Sequence, residues 1–196
     1  MQRYDVVDLA TELSLLPGLF LTRERGEQAY PHLKQVLEQT PEGDALLLIF
    51  PPNQLVDGSF ADETVVRLGE ELTTDRFGNR AMVLQGLTAD SITNIEAVIG
   101  LRRLKLGFLA TEPDGQWQVI GQLDPSLHEM LKILATQKYL TAPELAERFN
   151  LAINTASNRL KRLYDRRLVR REYEVSAKGL QYYYYFWNWQ NGKAQA

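Results

Sequence analysis

The chain has 196 residues, of which 44% are hydrophobic, so it is long enough to bury one large core or two smaller ones. It contains no cysteine, which excludes disulfide bridges, thiolate metal ligands and a cysteine nucleophile. The longest strictly apolar run, residues 45–50, is far shorter than the roughly 20 residues that a membrane-spanning helix needs. We therefore expect a cytoplasmic protein without a membrane segment.

The formal charge of -3 divides unevenly along the chain. Residues 1–124 carry 10 basic and 19 acidic side chains, a net charge of -9, whereas residues 125–196 carry 12 and 6, a net charge of +6. A strongly basic segment is what a polyanion binder needs, and the alternative is an evenly mixed surface. The asymmetry predicts that the C-terminal part of the chain contacts nucleic acid.

Up to about residue 123 the pattern alternates between apolar, strand-like runs and amphipathic helical ones, which is typical of an α/β domain. The predicted strands are residues 5–9, 45–50, 81–85, 107–110 and 117–120, and the predicted helices are residues 26–39, 60–72 and 91–104. Residues 121–125 form a short connection. We therefore predict an α/β domain over residues 1–123 and a second domain over residues 124–196.

The second domain begins with a helix-turn-helix pattern. Apolar spacing predicts a first helix over residues 127–134, with Asp124 or Ser126 to cap it. Residues 141–144 (TAPE) are a capping box with proline in the first turn, which predicts the start of a short second helix. A tight turn follows, and Asn154 is a suitable N-cap for a third helix that runs to about Arg167.

The third helix combines an apolar face, formed by Ala156, Leu160 and Leu163, with a polar and basic stripe beside it. A helix that enters the major groove needs hydrogen-bond donors at its N-terminal end for base edges and cations further along for phosphates. The alternative is an ordinary solvated face. The candidate DNA-binding residues on this helix are Asn154, Thr155, Asn158, Arg159, Lys161, Arg162 and Arg166.

Residues 168–174 and 180–186 read as two strands joined by a short turn, which together would form a basic hairpin. The order of capped helix, turn, basic helix and basic hairpin resembles the winged helix-turn-helix domains of bacterial transcription regulators. The resemblance covers residues 125–186. It implies that the third helix is the recognition helix and that Arg170, Arg171 and Lys178 of the wing touch the DNA backbone or minor groove. Winged helices also serve as protein-binding modules.

Residues 182–189 (YYYYFWNW) form an aromatic stretch. Alternate residues of a strand point to opposite faces, so one set of rings is expected to pack against the helices. The other set predicts an interface with the N-terminal domain or with a second subunit. Stacking on unpaired bases is a weaker alternative, because no basic residue interrupts the stretch.

The N-terminal domain contains the string DGSFADE at residues 57–63, which follows a strand and opens a helix. Ser59, with Asp62 three residues later, makes a capping arrangement that needs no further function. The string also resembles the STAS-like domain of unknown function, a relative of anti-sigma-factor antagonists, over roughly residues 20–110. That resemblance implies that Ser59 is a possible phosphorylation site.

No motif for a phosphate-binding loop, a dinucleotide site, a serine hydrolase or a zinc protease occurs, and His32 and His128 are isolated in sequence. We therefore expect no enzyme activity, no cofactor and no metal. The sequence predicts a homodimeric transcription regulator that binds double-stranded DNA. Its STAS-like domain would sense a protein partner or a small ligand. The alternative is a protein–protein switch module, related to anti-sigma-factor antagonists, without direct DNA binding.

Overall fold

The computed structural model describes residues 1–13, 20–74, 76–177 and 179–188. The chain divides into two compact units, Met1–Gln122 and Leu123–Asn188. Among the described residues, no helix combines the length and the apolar character needed to cross a membrane.

The first unit is built on a five-stranded sheet whose strands lie in chain order. They are β1 (Gln2–Asp5), β2 (Ala45–Ile49), β3 (Ala81–Gln85), β4 (Phe108–Thr111) and β5 (Trp117–Ile120). The first four strands are parallel, and β5 pairs antiparallel with β4. Parallel neighbours require crossover connections, and helices supply them. These are α1 (Val6–Glu12), α2 (Arg23–Gln39), α3 (Gly58–Ala61), a π-helical segment (Asp62–Val66), α4 (Arg67–Thr73) and α5 (Ala89–Leu101).

The central strands are buried on both faces, as is usual for parallel sheets. Leu46, Leu48 and Leu84 belong to the main hydrophobic core of this unit. The residues between them in sequence, such as Leu47 and Val83, point to the opposite face and are buried as well. This double burial explains why β2 and β3 read as continuous apolar runs and were predicted within one residue of their true bounds.

The prediction of a strand at residues 5–9 is wrong. Asp5 ends β1 and caps α1, because its carboxylate accepts a hydrogen bond from the backbone N–H of Val7 at 2.9 Å. Val6 and Leu9 are then buried at helical spacing. The two β-branched valines after Asp5 have the appearance of a strand, but the aspartate cap and the inward spacing decide the local structure.

Tyr4, on β1, has a buried hydroxyl without a hydrogen-bond partner among the described residues. Burial, aided by the charges of Glu12 and Asp8, raises its pKa to about 12. An unsatisfied buried group costs about 1–3 kcal/mol, so we expect Tyr4→Phe to increase the free energy of unfolding by about 1 kcal/mol. Urea denaturation measures this change.

Tyr30→Phe is the matched control, because the Tyr30 hydroxyl donates a hydrogen bond of 2.5 Å to Glu71. Its loss is expected to destabilise the protein by about 1 kcal/mol, the opposite sign to Tyr4→Phe. Equal destabilisation by the two substitutions would contradict the assignment of Tyr4 as an unsatisfied group.

The second unit contains three helices followed by a hairpin. They are α6 (Pro125–Thr136), α7 (Ala142–Phe149), α8 (Ile153–Asp165), β6 (Val169–Ser176) and β7 (Gly179–Phe186). Leu131, Leu145 and Leu160, one from each helix, are fully buried. Leu140 forms an additional antiparallel bridge to Tyr184 of β7. The predicted fold class is thus confirmed: an α/β unit with a mixed sheet precedes a winged helix.

Candidate nucleic-acid interface

The turn between α7 and α8 sets the position of α8. The capping box of α7 is present as predicted: Thr141 and Glu144 each accept a hydrogen bond from the other's backbone N–H, at 3.4 and 2.8 Å. The helix ends at Asn150, which adopts a left-handed conformation with φ of 48°. This left-handed residue ends α7, and α8 begins three residues later, at Ile153.

The prediction that Asn154 caps α8 is wrong. Ala152 occupies the N-cap position and provides no side-chain hydrogen bond, while its carbonyl accepts the N–H of Ala156 at 3.1 Å. Asn154 instead lies in the first helical turn, with an exposed side chain. The N–H groups of the first turn therefore lack a capping side chain, which is the arrangement that helix N-termini use to receive phosphate oxygens.

Four polar side chains of the first two turns of α8 are available for contacts with another molecule. Asn154, Thr155 and Asn158 are exposed, and Arg159 is half-buried. Within the described part of the chain, none of the four side chains makes a hydrogen bond or an ion pair. Amide, hydroxyl and guanidinium groups of this kind read the edges of bases in the major groove. The structure therefore places the predicted base-reading residues together on one open surface.

The cations further along α8 are engaged by nearby carboxylates. Lys161 forms an ion pair of 2.6 Å with Asp165, one turn later on the same helix. Arg162 pairs with Asp124, which occupies the N-cap position of α6 without capping it. The predicted cap by Asp124 is therefore wrong, because its carboxylate is directed to α8. Exposed ion pairs contribute at most about 1 kcal/mol, so DNA phosphates can displace these carboxylates.

The arginines of the wing are held by aromatic rings. Arg170 lies 4.2 Å from the centre of the Tyr185 ring and also pairs with Glu172. Arg171 lies between the rings of Tyr164 and Tyr182, at 4.0 and 4.4 Å. Cation–π contacts of this kind fix the guanidinium groups in place. Arg171 thus joins the wing to α8, whereas the contacts of Arg170 lie within the wing, and Lys178 lies outside the described residues.

The aromatic stretch is less open than its sequence implies. Tyr184 is buried, as is Trp187, whose indole N–H donates a hydrogen bond of 3.1 Å to the carbonyl of Arg167. On the opposite face of β7, Tyr183 and Tyr185 pack against Tyr139, with ring centres 5.1 and 6.1 Å apart. The rings that were expected to be surplus on β7 are therefore half-buried within this unit.

Two residues beside the polar face of α8, Asp124 and Ile153, were not predicted from the sequence to belong to the candidate interface. Asp124 was considered only as a cap, although its position before α6 places it beside Arg162. Ile153 is largely exposed at the start of α8, next to the free polar side chains. An apolar residue directly before the polar residues of a helix only weakly indicates a DNA contact. An exposed apolar side chain at this position can nevertheless pack against the methyl group of thymine.

Ser59 lies in an open cleft of about 400 Å³ in the first unit. Asp57, not Ser59, caps α3, since it accepts hydrogen bonds from the N–H groups of Phe60 and Thr22 at 2.7 and 2.9 Å. The predicted capping arrangement of Ser59 with Asp62 is therefore wrong. Ser59 is exposed, and its hydroxyl makes no hydrogen bond within the described ranges.

An ion-pair network borders this cleft. Asp62 pairs with Arg23 at 3.0 Å and with Arg102 at 2.7 Å, Glu70 pairs with Arg102 at 2.5 Å, and Glu63 pairs with Arg23. Burial alone would lower the pKa of Arg102, but its hydrogen bonds and proximity to the two carboxylates raise it overall. The acidic residues after Ser59 are thus largely neutralised. Among the described residues, no cluster of three histidine or acidic side chains could hold a metal ion.

Residues 123–170 match the family of winged helix-turn-helix DNA-binding domains. No curated protein and no solved structure matches the chain. The matched segment runs from the residue before Asp124 to the second residue of β6, so it contains all three helices and the free polar side chains of α8. The family match and the fold support a DNA-binding regulator in general.

Asp124→Asn removes the carboxylate that pairs with Arg162, so a DNA phosphate can contact the guanidinium without displacing an ion-pair partner. Affinity at low salt should rise roughly fivefold, while the slope of log K against log salt should stay close to that of the wild type because the number of phosphate contacts is unchanged. Fluorescence anisotropy across a salt series measures both. Asp90→Asn, an exposed position of the first unit, changes the net charge equally and is the control. Identical behaviour of the two variants would contradict the expectation.

Proposed function

We propose that this chain is a cytoplasmic, sequence-specific transcription regulator in which α8 reads duplex DNA and the first unit receives the signal. The observation that carries the proposal is the exposed N-terminal half of α8. There Asn154, Thr155, Asn158 and Arg159 have no partner among the residues that the structure describes, beside a helix end without a capping side chain. Polar side chains at this position of a recognition helix contact base edges, whereas the following cations contact phosphates.

The charge distribution supports the same proposal. Residues 125–196 carry a net charge of +6 against -9 for the preceding residues. Lys161, Arg162 and Arg166 supply the phosphate contacts in this proposal. On binding, DNA phosphates replace the exposed carboxylates that pair with Lys161 and Arg162 in the free protein. Release of counterions from the DNA then makes binding strongly dependent on salt. Arg170 and Arg171, held in place by tyrosine rings, are proposed to touch the DNA backbone or minor groove.

The first unit is proposed to be a STAS-like sensor. Helix α3 starts at Gly58, within the string that carries the resemblance, and its cleft offers Ser59 with Arg23 and Arg102 nearby. A protein partner or a small ligand is proposed to bind here, and the proposed role involves no catalysis. Phosphorylation of Ser59 would place a doubly charged group near two arginines and a helix N-terminus, which suits such a group.

Phosphate-affinity electrophoresis of the protein isolated from its native cells tests the Ser59 proposal. A shifted band that disappears in Ser59→Ala supports it. Ser91→Ala is the matched control, because the buried Ser91 hydroxyl is hydrogen-bonded to the backbone N–H of Val56 at 2.9 Å and is inaccessible to a kinase. The absence of a Ser59-dependent band would contradict the proposal.

Selection from a library of random duplexes by the full chain tests DNA recognition. A regulator enriches a defined sequence, and the enriched duplex binds far more tightly than a scrambled one at physiological salt. The proposed homodimer predicts an inverted repeat with half-sites about one helical turn apart. If no sequence is enriched and no binding occurs at low salt, the protein–protein switch without direct DNA binding becomes the better explanation.

A further inference from the structure

The outer edge of β6 is available for pairing with another strand. β7 lies between β6 and Leu140: the N–H of Tyr184 donates to the carbonyl of Leu140 at 3.0 Å, and the reverse bond measures 2.9 Å. Both backbone polar groups of Tyr184 therefore point away from β6. Within the described ranges, no strand pairs with the other side of β6.

The pairing register then identifies which groups of β6 point outward. Arg171 lies opposite Tyr184, so this is a non-hydrogen-bonded pair, and the N–H and carbonyl of Arg171 point away from β7. The same alternation applies two and four residues later, at Tyr173 and Val175. These three residues present an ordered row of backbone donors and acceptors at the edge of the wing.

Of the features that protect exposed strands, this edge has charged side chains, Arg170, Arg171, Glu172 and Glu174, but lacks the others. β6 (VRREYEVS) pairs with β7 in an unbroken register of eight residues, without a bulge, a proline or a lysine. Its outer half is also apolar on one face, because Tyr173, Val175 and the neighbouring Leu180 are 69, 73 and 53% exposed. A regular edge strand beside exposed apolar side chains is a site for strand addition when the partner strand complements its charges.

We propose that β6 pairs antiparallel with β6 of a second copy of this chain, so that the two wings form one continuous sheet. Hydrogen bonding requires the outward-pointing residues of one copy to face those of the other, which restricts the possible registers. With Glu172 at the two-fold axis, Arg171 faces Tyr173 of the second copy, and Val169 faces Val175.

Charge complementarity favours this register. It places Arg170 opposite Glu174 of the second copy, and the symmetry produces that pair twice. Glu172 faces its own copy, but each Glu172 is already paired with Arg170 of the same chain. A register centred on Tyr173 would instead place Glu172 opposite Glu174 twice, and one centred on Arg171 would leave Val175 uncovered. The register centred on Glu172 places Tyr173 and Val175 opposite residues of the second copy and pairs opposite charges.

The pairing supplies an interface for the homodimer of the proposed function, but it does not depend on DNA binding. Sedimentation equilibrium of the full chain without DNA tests it, and failure there leaves the duplex-selection experiment unaffected. Tyr173→Pro removes an outward N–H without removing a hydrogen bond of the β6–β7 ladder. Tyr173→Thr removes the same ring but keeps the N–H, and is the matched control.

We expect the wild-type chain to form dimers that Tyr173→Pro weakens at least tenfold and Tyr173→Thr weakens less. Glu174→Arg is expected to weaken dimers as well, because residue 174 faces Arg170 of the second copy. The double variant Arg170→Glu, Glu174→Arg exchanges the two charges and should restore the dimers. This charge exchange keeps the test informative if Tyr173→Pro fails to fold. Either of two results would overturn the proposal. One is a wild-type chain that is still monomeric at about 200 μM; the other is a dimer that neither Tyr173→Pro nor Glu174→Arg weakens.

Discussion

Arg159→Ala is expected to lower the affinity of the full chain for its selected duplex by roughly 5- to 150-fold, which corresponds to about 1–3 kcal/mol for a bidentate contact to guanine. Arg159 lies on the second turn of α8 and has no intramolecular partner among the described residues. Its substitution therefore removes an interaction with DNA without breaking one inside the protein. Fluorescence anisotropy with the selected duplex and with single-base variants measures the loss.

Arg3→Ala is the matched control, since Arg3 is an exposed residue of β1 in the first unit and its loss changes the net charge equally. We expect Arg3→Ala to have little effect on affinity. For Arg159→Ala, base preference should relax at one position of the site, whereas removal of a phosphate contact would weaken all sequences alike. Equal losses for the two variants would count against base reading by α8.

Gly86→Ala is expected to destabilise the first unit much more than Gly43→Ala does. Both glycines have φ of 79°, so an alanine at either position costs about 1–2 kcal/mol for the left-handed backbone. At Gly86, however, the new Cβ would lie 2.6 Å from the carbonyl oxygen of Phe50, whereas nothing lies within 4 Å at Gly43. Such a clash adds roughly 1–3 kcal/mol.

The pair of alanine variants separates backbone strain from crowding. Gly86 follows β3, and its N–H donates a hydrogen bond of 3.2 Å to Thr111 of β4, so the residue lies where the central strands end. Urea denaturation of the full chain, monitored by far-UV circular dichroism, gives the free energy of unfolding of each variant. Equal midpoints would show that Phe50 moves aside and that the close approach has no energetic consequence.

Periodicity and turn chemistry were sufficient for most of the fold. The run of β3 was predicted with its true bounds, and the capping box at Thr141 gave the start of α7. The failures occurred where two local signals compete. At residues 5–9, β-branched residues favour a strand, but Asp5 caps a helix. At the start of α8, Asn154 is a good capping residue, yet Ala152 occupies the N-cap position and the helix begins at Ile153.

The candidate site was only partly predictable for a similar reason. The exposed face of α8 follows from helical spacing alone, because the residues lie on one element. The environment of Arg171 depends instead on strand register, which places Tyr182 beside Tyr173, and on the packing of Tyr164 against the hairpin. No local pattern in the sequence specifies these long-range contacts.

The absence of partners for Asn154, Thr155, Asn158 and Arg159 has a consequence for how this protein can change over time. Since none of these side chains supports the fold through a hydrogen bond or ion pair within the described part of the chain, they can be exchanged at little cost in stability. Leu160 and Leu163, which are fully buried on the other side of the same helix, keep α8 in place. New binding preferences can therefore evolve, or be engineered, on an unchanged scaffold.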